Sequence, residues 1–579
     1  MKKIAWCLMV PLLLVGGVFA LTCFQGLDLA DEWFWFSNAH VLSVAPDKTS
    51  YSFGYYLSVA LSALWGWLIS DSLISFRFLA VLSKLLIMVM AYFVLRKSID
   101  KTSLFWGLTL GGLFTYGGVM CFYGNTCTSL FYMAALVWAY NWIETEKRIY
   151  LFLFGLMLGI GVFARIANIT DVLFFLIIPF YRLANREFQI GRVFFDCLMA
   201  FGGWILGVTV VLTVMFFVGH SNAFVEMLGT YSQIAEDSAS GHSLSHLIVC
   251  QLRYYWDTIY YSSVAASVVV VAIVAAFTAR KCSAGCAKTA VLVSAVVSTI
   301  VLMRLLLLLC RFPVVAAFIV CFLLVIFLEK RPKILALWVL ALLCLTVSPL
   351  GSDVAGTSNK YCMPLYLSLV FSAISRGGVV EKSLRSLLKI PEGSVRNIRM
   401  VLYGLLLLLG IGLLRQIWLD PIRDNSNRSL LTTCAQVKGL EYIRTTPERA
   451  KAIEDIVAEI KKQADQNQPL LVFHSAPGLH ALTGMLPYTC STWSFLLSPD
   501  LFNIDIEKAR KRFGGRLPLV VLMKWAIGCR EWPQERKAYI NSNSTRWGRR
   551  LALDKFLADN NYQSVFEDED FIIFKPCKK

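Results

Sequence analysis

The sequence predicts a polytopic α-helical membrane protein with about 13 spans, followed by a C-terminal α/β domain. The chain is 57% hydrophobic and only 16% charged, and its mean hydropathy of +0.62 exceeds what a soluble domain shows. Apolar runs recur to about residue 414. Beyond that point charges become common, and helical patterns alternate with short β-rich runs.

The apolar runs have roughly the length that a bilayer-crossing helix requires. The predicted spans centre on 4–22, 74–95, 104–121, 127–143, 149–164, 171–181, 194–218, 263–279, 289–303, 314–328, 334–349, 361–375 and 400–414. The first run follows Lys2 and Lys3 and is long for a signal peptide, so we interpret it as a retained anchor, with cleavage as the alternative. The shorter, aromatic-rich run at 57–69 predicts an interfacial helix.

Basic residues are concentrated in alternate gaps between these runs, for example at Lys147–Arg148 and Lys330–Lys333. The other gaps hold few, among them Arg77, Arg165, Arg253, Arg304, Arg311 and Lys360. The positive-inside rule then places the N-terminus in the cytoplasm, and an odd number of spans places the C-terminus outside. We therefore expect a multi-pass protein of a bacterial inner membrane with a periplasmic C-terminal domain. The net charge of +17 follows from this topology and does not indicate nucleic-acid binding.

Two domains are predicted. Residues 1–414 form the membrane domain, with an outer loop at 23–73, and residues 415–579 form the outer α/β domain. In the outer domain, Thr446 and Pro447 open an amphipathic helix as its cap and first residue. "PLLVFH" and "LPLVVLMKW" predict strands, and "SVFEDEDFIIFKP" predicts a closing hairpin. Four cysteines fall in this domain, and the sequence does not choose among their three possible pairings: Cys434, Cys490, Cys529 and Cys577.

An acidic pair, Asp31 and Glu32, follows the first apolar run and stands beside the aromatic run Trp33–Phe36. Asp28 adds a third carboxylate nearby. One interpretation is that these acids simply lie in a solvated outer loop. The other is that the aromatic run holds a short helix at the membrane interface. That would present the acids where a lipid-borne substrate has its head group.

The residues around this pair resemble the start of glycosyltransferases of the GT-C superfamily that use lipid-linked sugars. The similar segments are "DEWFWFSNAHVL", "SYSFGYYLSVALSALWGWLI" and "SFRFLAVLSKLLIMVMAYFVLRK", in that order. The pattern is nearest to bacterial relatives of protein O-mannosyltransferases and to the lipid A aminoarabinose transferase. "GIGVFARIANI", "LTGMLPY" and "NNYQSVFEDEDFIIFKP" extend the resemblance over most of the chain through short motifs.

The resemblance implies a GT-C-type hexosyl- or pentosyltransferase. It would move a sugar from a polyprenyl-phosphate donor to an acceptor on the periplasmic face, and inversion is expected. Asp31 would be the catalytic base, and Glu32 would orient it or bind the acceptor. Because guanidinium groups match phosphate oxygens, the outward cations are candidates for binding the donor phosphate: Arg77, Arg165, Arg253, Arg304, Arg311 and Lys360.

One departure from the resemblance concerns the loop between the third and fourth predicted spans, where many relatives carry an acid. This chain has Asn125 in "MCFYGNTCTSL", a candidate ligand for sugar or phosphate, with a helix cap as the alternative. The loop "PLGSDVAGTSNKY" adds Asp353 and Asn359 as substrate-binding candidates, with a simple turn as the alternative. We expect no cofactor and assign no metal ligands. A divalent metal is left open.

The expected partners are the polyprenyl-phosphate-linked sugar, membrane lipid, and an acceptor that is a lipid, a glycan or a protein. Nucleic acid is not expected. Two other function classes fit the layout, namely a transporter or flippase and a non-catalytic assembly protein of envelope polysaccharide. Transporters usually place acids or helix breaks inside their spans. The carboxylates of this chain lie mainly in loops, which favours an enzyme.

Overall fold

A computed structural model describes residues 6–116, 120–236, 243, 245–260, 263, 311–351, 360–386, 392–525, 530–536 and 545–577. The helices up to residue 260 are α1 (Trp6–Thr22), α2 (Asp31–Val44), α3 (Tyr56–Leu68), α4 (Leu73–Leu95), α5 (Lys101–Phe114), α6 (Gly124–Thr145), α7 (Arg148–Gly161), α8 (Ile177–Ala184), α9 (Ile190–Phe217), α10 (Ser221–Glu236) and α11 (245–260). The membrane part continues with α12 (Arg311–Leu328), α13 (Pro332–Val347), α14 (Met363–Ile374), α15 (Val379–Ser386) and α16 (Glu392–Leu419).

Within the described part of the chain, five segments are long and apolar enough to cross a membrane: Leu73–Leu95, Ile166–Ala184, Ile190–Phe217, Lys360–Ser383 and Leu402–Leu419. Four apolar helices are shorter: Trp6–Thr22, Arg148–Ala164, Val314–Leu328 and Pro332–Val347. These helices all coincide with predicted spans, and α3 is the helix predicted at 57–69. The spans predicted at 263–279 and 289–303 lie outside the described residues.

The span predicted at 171–181 begins earlier and contains a 3₁₀ segment, Ile166–Leu176, before it continues as α8. Asp171, within this segment, is fully buried and accepts a hydrogen bond from the indole Nε1 of Trp204 at 3.0 Å. A carboxylate therefore does lie inside a membrane-crossing segment, held by a donor from α9.

Helices α7 and α9 approach each other through glycines at i and i+4 on both partners. A Cβ on Gly155 would lie 1.8 Å from the carbonyl oxygen of Ala200, and one on Gly203 would lie 1.9 Å from that of Phe152. Gly159 and Gly207 meet backbone atoms of the opposite helix in the same way. Small residues at this spacing let two membrane helices pack backbone to backbone.

Gly203→Val should destabilise the protein by about 2 kcal/mol or more, because the new side chain overlaps the backbone of α7 and forces the helices apart. Gly202→Val is the matched control. It changes the neighbouring position of the same helix, where a Cβ meets no atom within 4 Å. Thermal unfolding of the full chain in detergent measures both, and equal melting temperatures would contradict the close approach.

The C-terminal domain, called the outer domain after its predicted location, is built on a four-stranded sheet. Its strands are β3 (Leu470–Phe473), β4 (Leu519–Met523), β5 (Tyr562–Glu567) and β6 (Phe571–Pro576), in the spatial order β3-β4-β6-β5. A separate two-stranded ribbon joins β1 (Thr433–Cys434) to β2 (Arg444–Thr445). Strands β3 and β4 run parallel, whereas β6 pairs antiparallel with β4 and β5. Its helices are α17 (Pro447–Gln463), α18 (Leu479–Thr483), α19 (Pro499–Arg512) and α20 (Thr545–Asp559).

The local predictions for this domain are confirmed. The Thr446 side chain accepts a hydrogen bond from the Arg449 backbone N–H and caps α17, with Pro447 at its first position. The two predicted strands and the closing hairpin appear as β3, β4 and β5–β6. Helix α16 runs to Leu419, through the position predicted to separate the two domains. Among the described cysteines of this domain, Cys434, Cys490 and Cys577 are free thiols.

The outer domain packs on the first outer loop. Gly26 donates its N–H to the carbonyl of Arg444 at 2.9 Å, and Arg444 donates its own to Phe24 at 2.8 Å. Gly26 has φ +89°, and a Cβ there would lie 1.7 Å from the Pro421 carbonyl oxygen. Glycine is therefore required both for the backbone conformation and for the contact. This contact brings the segment after α16 directly against the acidic residues.

Candidate active site

The acidic pair is split between two environments, and its second member is sealed inside the protein. Glu32 and Arg77 are both fully buried. Arg77 donates from Nε to Glu32 Oε1 at 2.7 Å and from Nη2 to Oε2 at 2.6 Å. This is a bidentate, charge-assisted pair, the geometry that the guanidinium fork favours.

The same arginine also shapes the loop that carries the acids. Its Nη1 donates to the carbonyl of Cys23 at 2.5 Å, and its Nη2 donates to that of Gly26 at 2.7 Å. Arg77 was a predicted ligand of the donor phosphate, but in this structure its Nε, Nη1 and Nη2 are already engaged by Glu32 and two backbone carbonyls. Arg77 instead fixes Glu32 and the loop between α1 and α2.

Asp28 organises the start of α2. It is fully buried, and its carboxylate accepts the backbone N–H of Ala30 at 3.0 Å and that of Glu32 at 3.1 Å. Burial raises the pKa of Asp28 to about 7, while the nearby Arg423 guanidinium opposes the rise. Asp28 thus sets the position of the acidic pair but is not reachable by a substrate.

Asp31 is the reachable member of the pair. Its side chain is 36% exposed, and its Oδ2 lies 2.5 Å from Nη1 of Arg423, which is exposed to the same extent. The same Nη1 lies 3.6 Å from Oδ2 of Asp28. A carboxylate that is held in place yet open to solvent can accept a proton from a bound acceptor.

The aromatic run beside the pair was expected to lie at the membrane interface, but it lies inside the protein instead. Trp33, Phe34, Trp35 and Phe36 are all buried. The Phe36 ring packs edge-on against Phe76 at 5.5 Å. The outer domain covers Trp33 so closely that a Cβ on Gly478 would lie 2.2 Å from its ring. The run therefore attaches α2 to the protein rather than to the bilayer.

A cation that the sequence analysis overlooked is buried near this loop. Lys84 lies on α4 seven residues after Arg77, which is about 10 Å further along the helix on the same face. Lys84 is fully buried, and its Nζ contacts the sulfur of Met120 at 3.4 Å. Among the described residues, no carboxylate lies within ion-pair distance of Lys84. Its signal was one lysine within an otherwise apolar run.

Lys84 shares an aromatic neighbour with Lys360, which was a predicted phosphate ligand. The two Nζ atoms lie 5.7 Å and 5.0 Å from the centroid of the Tyr361 ring. The Tyr361 hydroxyl lies 2.7 Å from that of Tyr123. Met120 and Tyr361 belong to predicted outer loops, so this cluster lies at the helix ends that were predicted to face outward. Two ammonium groups and two phenols gathered around one spot form a cluster suited to an anion.

The structure brings together two of the predicted site residues, Arg165 and Asn125. Arg165 is buried, and its Nη1 donates to Asn125 Oδ1 at 3.1 Å. Its Nη2 donates to the carbonyls of Ser348 and Leu350, at 2.6 and 2.8 Å. Arg165 thereby joins the start of α6 to the loop after α13, the loop in which two substrate candidates were predicted.

The remaining predicted residues are less informative. Arg253 lies on α11, and its side chain is exposed. Arg311 begins α12, and its side chain is outside the described part of the structure. Arg304, Asp353 and Asn359 lie outside the described residues altogether.

A surface cavity of about 390 Å³ lies at the other end of α2, between His40 and the outer-domain residues Asn467 and Phe513. It is separate from the acidic pair.

No protein-family profile matches the chain, and no curated protein matches it. The solved structures that are similar to this chain include the following three. ArnT from Cupriavidus metallidurans bound to undecaprenyl phosphate has 11% identity, covers 98% of this chain and 97% of that one, and has a TM-score of 0.45. The archaeal oligosaccharyltransferase AglB from Archaeoglobus fulgidus, with an inhibitory peptide and a dolichol-phosphate, has 9% identity, coverages of 90% and 69%, and a TM-score of 0.48. An Archaeoglobus fulgidus oligosaccharyltransferase complex with zinc and sulfate has 11% identity, coverages of 89% and 68%, and a TM-score of 0.49. With TM-scores below 0.5, these matches by themselves assign no function to this chain.

Proposed function

We propose that this protein is a membrane glycosyltransferase that moves a sugar from a polyprenyl-phosphate donor to an acceptor at the outer face of a bacterial inner membrane. The proposal rests on one observation about two side chains. Asp31 is a carboxylate that solvent can reach in the predicted outer loop, and Lys84 is a buried cation on α4, the helix that follows this loop. A base for the acceptor and a charge for the leaving phosphate are the two groups that this transfer needs.

Asp31 is the base in this mechanism. The acceptor hydroxyl or amine loses its proton to Asp31 as it attacks the anomeric carbon, the bond from that carbon to the phosphate oxygen breaks, and lipid phosphate leaves. Glu32 is held at both oxygens by Arg77, so it is not free to act as a nucleophile. A single displacement follows, and the product has an inverted anomeric centre.

Lys84, with Lys360 and Tyr361, binds the phosphate of the donor. Burying a lysine without a carboxylate is unfavourable, and a bound phosphate removes that penalty by supplying the missing anion. The same charge stabilises the phosphate as negative charge grows on its leaving oxygen. Arg165 supports the neighbouring loop through Ser348 and Leu350 and is not assigned to the phosphate.

The function is tested with the purified full chain and a panel of short-chain polyprenyl phosphates that carry mannose, glucose, galactose or arabinose. An envelope extract supplies acceptors, and mass spectrometry measures the release of polyprenyl phosphate. We expect release from at least one donor, dependent on the extract. If folded protein releases lipid phosphate from none of them, while moving a labelled lipid across liposome membranes, a flippase is the better conclusion.

Lys84→Met should weaken binding of a short-chain polyprenyl phosphate by about 10- to 100-fold, since a charge-assisted contact with phosphate is worth about 1.5–3 kcal/mol. Methionine keeps the length and the apolar stem of lysine. Lys101→Met, at an exposed position at the start of α5, is the control. Quenching of tryptophan fluorescence reports the affinity, and an unchanged dissociation constant for Lys84→Met would remove this residue from the site.

A further inference from the structure

Arg423 brings a cation from the predicted outer domain to the acidic loop. It follows α16 and lies in the segment Asp420–Asp424, far along the chain from α2. A single nitrogen of its guanidinium, Nη1, faces both Asp31 and Asp28, at 2.5 and 3.6 Å. The sequence alone predicts no role for this arginine.

The charges around Arg423 are unequal in number. Glu32 and Arg77 form a complete pair that is closed to water. Asp28 and Asp31 share Arg423, and Asp420 also acts on it electrostatically. Of these carboxylates, Asp28 is fully buried and accepts two backbone N–H groups. Asp31 is therefore the carboxylate whose orientation depends most on the arginine.

The backbone that carries Arg423 is held in an unusual conformation. Ile422 and Arg423 have φ of 52° and 56°, and the left-handed region is rare for a β-branched residue such as isoleucine. Contacts on both sides hold this turn. Arg449 donates from Nη1 to the Arg423 carbonyl at 3.5 Å. Asp424 accepts the Leu27 N–H at 3.0 Å and the Thr445 hydroxyl at 2.6 Å.

Strained backbone persists where the surrounding contacts determine it, and it concentrates at functional sites. Here the strain points the Arg423 side chain at Asp31, while the neighbouring residues bind the loop of Asp28. We propose that Arg423 is a positioning residue of the active site: it holds the carboxylate of Asp31 in the orientation that a base requires. This inference rests on the proposed function and extends it, because the site is then completed by the outer domain.

The first test measures turnover with the donor that is active in the panel. Arg423→Ala should lower kcat by about 10-fold or more with a smaller change in KM, because substrate contacts remain while the base is misplaced. The acid limb of the pH–rate profile should move to higher pH, since the Arg423 guanidinium lowers the pKa of Asp28, which positions the acidic pair, and Asp28 becomes harder to deprotonate without it. Arg423→Lys keeps the charge and should restore most of the pH profile.

Arg530→Ala is the matched control. Arg530 pairs with Asp420 of the same segment at 2.9 Å and does not contact the acidic loop. If Arg423 merely anchors the segment, both alanine variants should lower turnover alike and leave the pH profile unchanged, and that result would overturn the inference.

The second test needs no substrate. Melting temperatures of the full chain in detergent are compared for wild type, Arg423→Ala, Asp31→Asn and the double variant. We expect the two substitutions to be non-additive, because they remove the same ion pair. Additive shifts would refute the pairing of Arg423 with Asp31, whatever the turnover assays show. Non-additive shifts with no turnover from wild type would refute the proposed function and leave the pairing itself established.

Discussion

Asp31→Asn should lower turnover by at least about 100-fold, since a positioned base typically contributes a factor of 10² to 10⁴. Asparagine has nearly the same shape and can still hydrogen-bond to Arg423, so the loop should remain in place. Affinity for a short-chain polyprenyl phosphate should be unchanged, because the proposed phosphate site is at Lys84. The measurements are release of lipid phosphate for turnover and fluorescence quenching for affinity.

Asp47→Asn is the control for this prediction. Asp47 lies in the same outer loop, pairs with Lys48, and has a side chain that is 65% exposed. Its replacement should change neither quantity. Wild-type turnover by Asp31→Asn, in protein that is folded and binds the lipid, would show that Asp31 is not the base. The assembly-protein and transporter alternatives would then gain support.

Arg77→Ala should destabilise the protein by about 3–5 kcal/mol, because it leaves the Glu32 carboxylate buried without its partner. It also removes the donors that hold the carbonyls of Cys23 and Gly26. We therefore expect a large fall in the melting temperature in detergent and poor recovery of folded protein. Any loss of turnover should follow from the loss of folded protein rather than from weaker binding of lipid phosphate.

Arg331→Ala provides the comparison. Arg331 pairs with Glu329 at 2.7 Å, but its own side chain is 67% exposed, and exposed pairs contribute about 1 kcal/mol or less. Arg77→Met together with Glu32→Leu should recover part of the stability, since it removes both charges and fills the space. A small effect of Arg77→Ala on folding, with a clear loss of lipid-phosphate affinity, would return Arg77 to the phosphate site.

Much of the fold could be predicted because its signals are local. A span needs a run of apolar residues, and a cap needs a side chain such as that of Thr446 next to the helix it caps. The outer-domain strands and hairpin likewise depend on short runs of apolar and turn residues. The end of α16 at Leu419 was not predictable in the same way, because hydropathy indicates where an apolar run ends and not where a helix does.

The candidate site was predictable in part. The sequence directed attention to Asp31 and Glu32 through their position after the first apolar run, and the resemblance made Asp31 the base, but neither revealed that Glu32 would be sealed in an ion pair. Consecutive residues of a helix point about 100° apart. Tertiary packing then sealed Glu32 against Arg77 and left Asp31 at the surface. The same packing buried the aromatic run that composition alone would place at the membrane.

The sequence by itself determined that the chain is a helical membrane protein with a folded domain after its spans, because both properties follow from composition and local periodicity. The tertiary structure decided which charges meet. It paired Arg77 with Glu32, brought Arg423 to Asp31, and placed Lys84 and Lys360 on one tyrosine ring. These contacts join residues that are distant in the chain. The residues adjacent to a charged side chain therefore do not determine which partner it contacts in the folded protein.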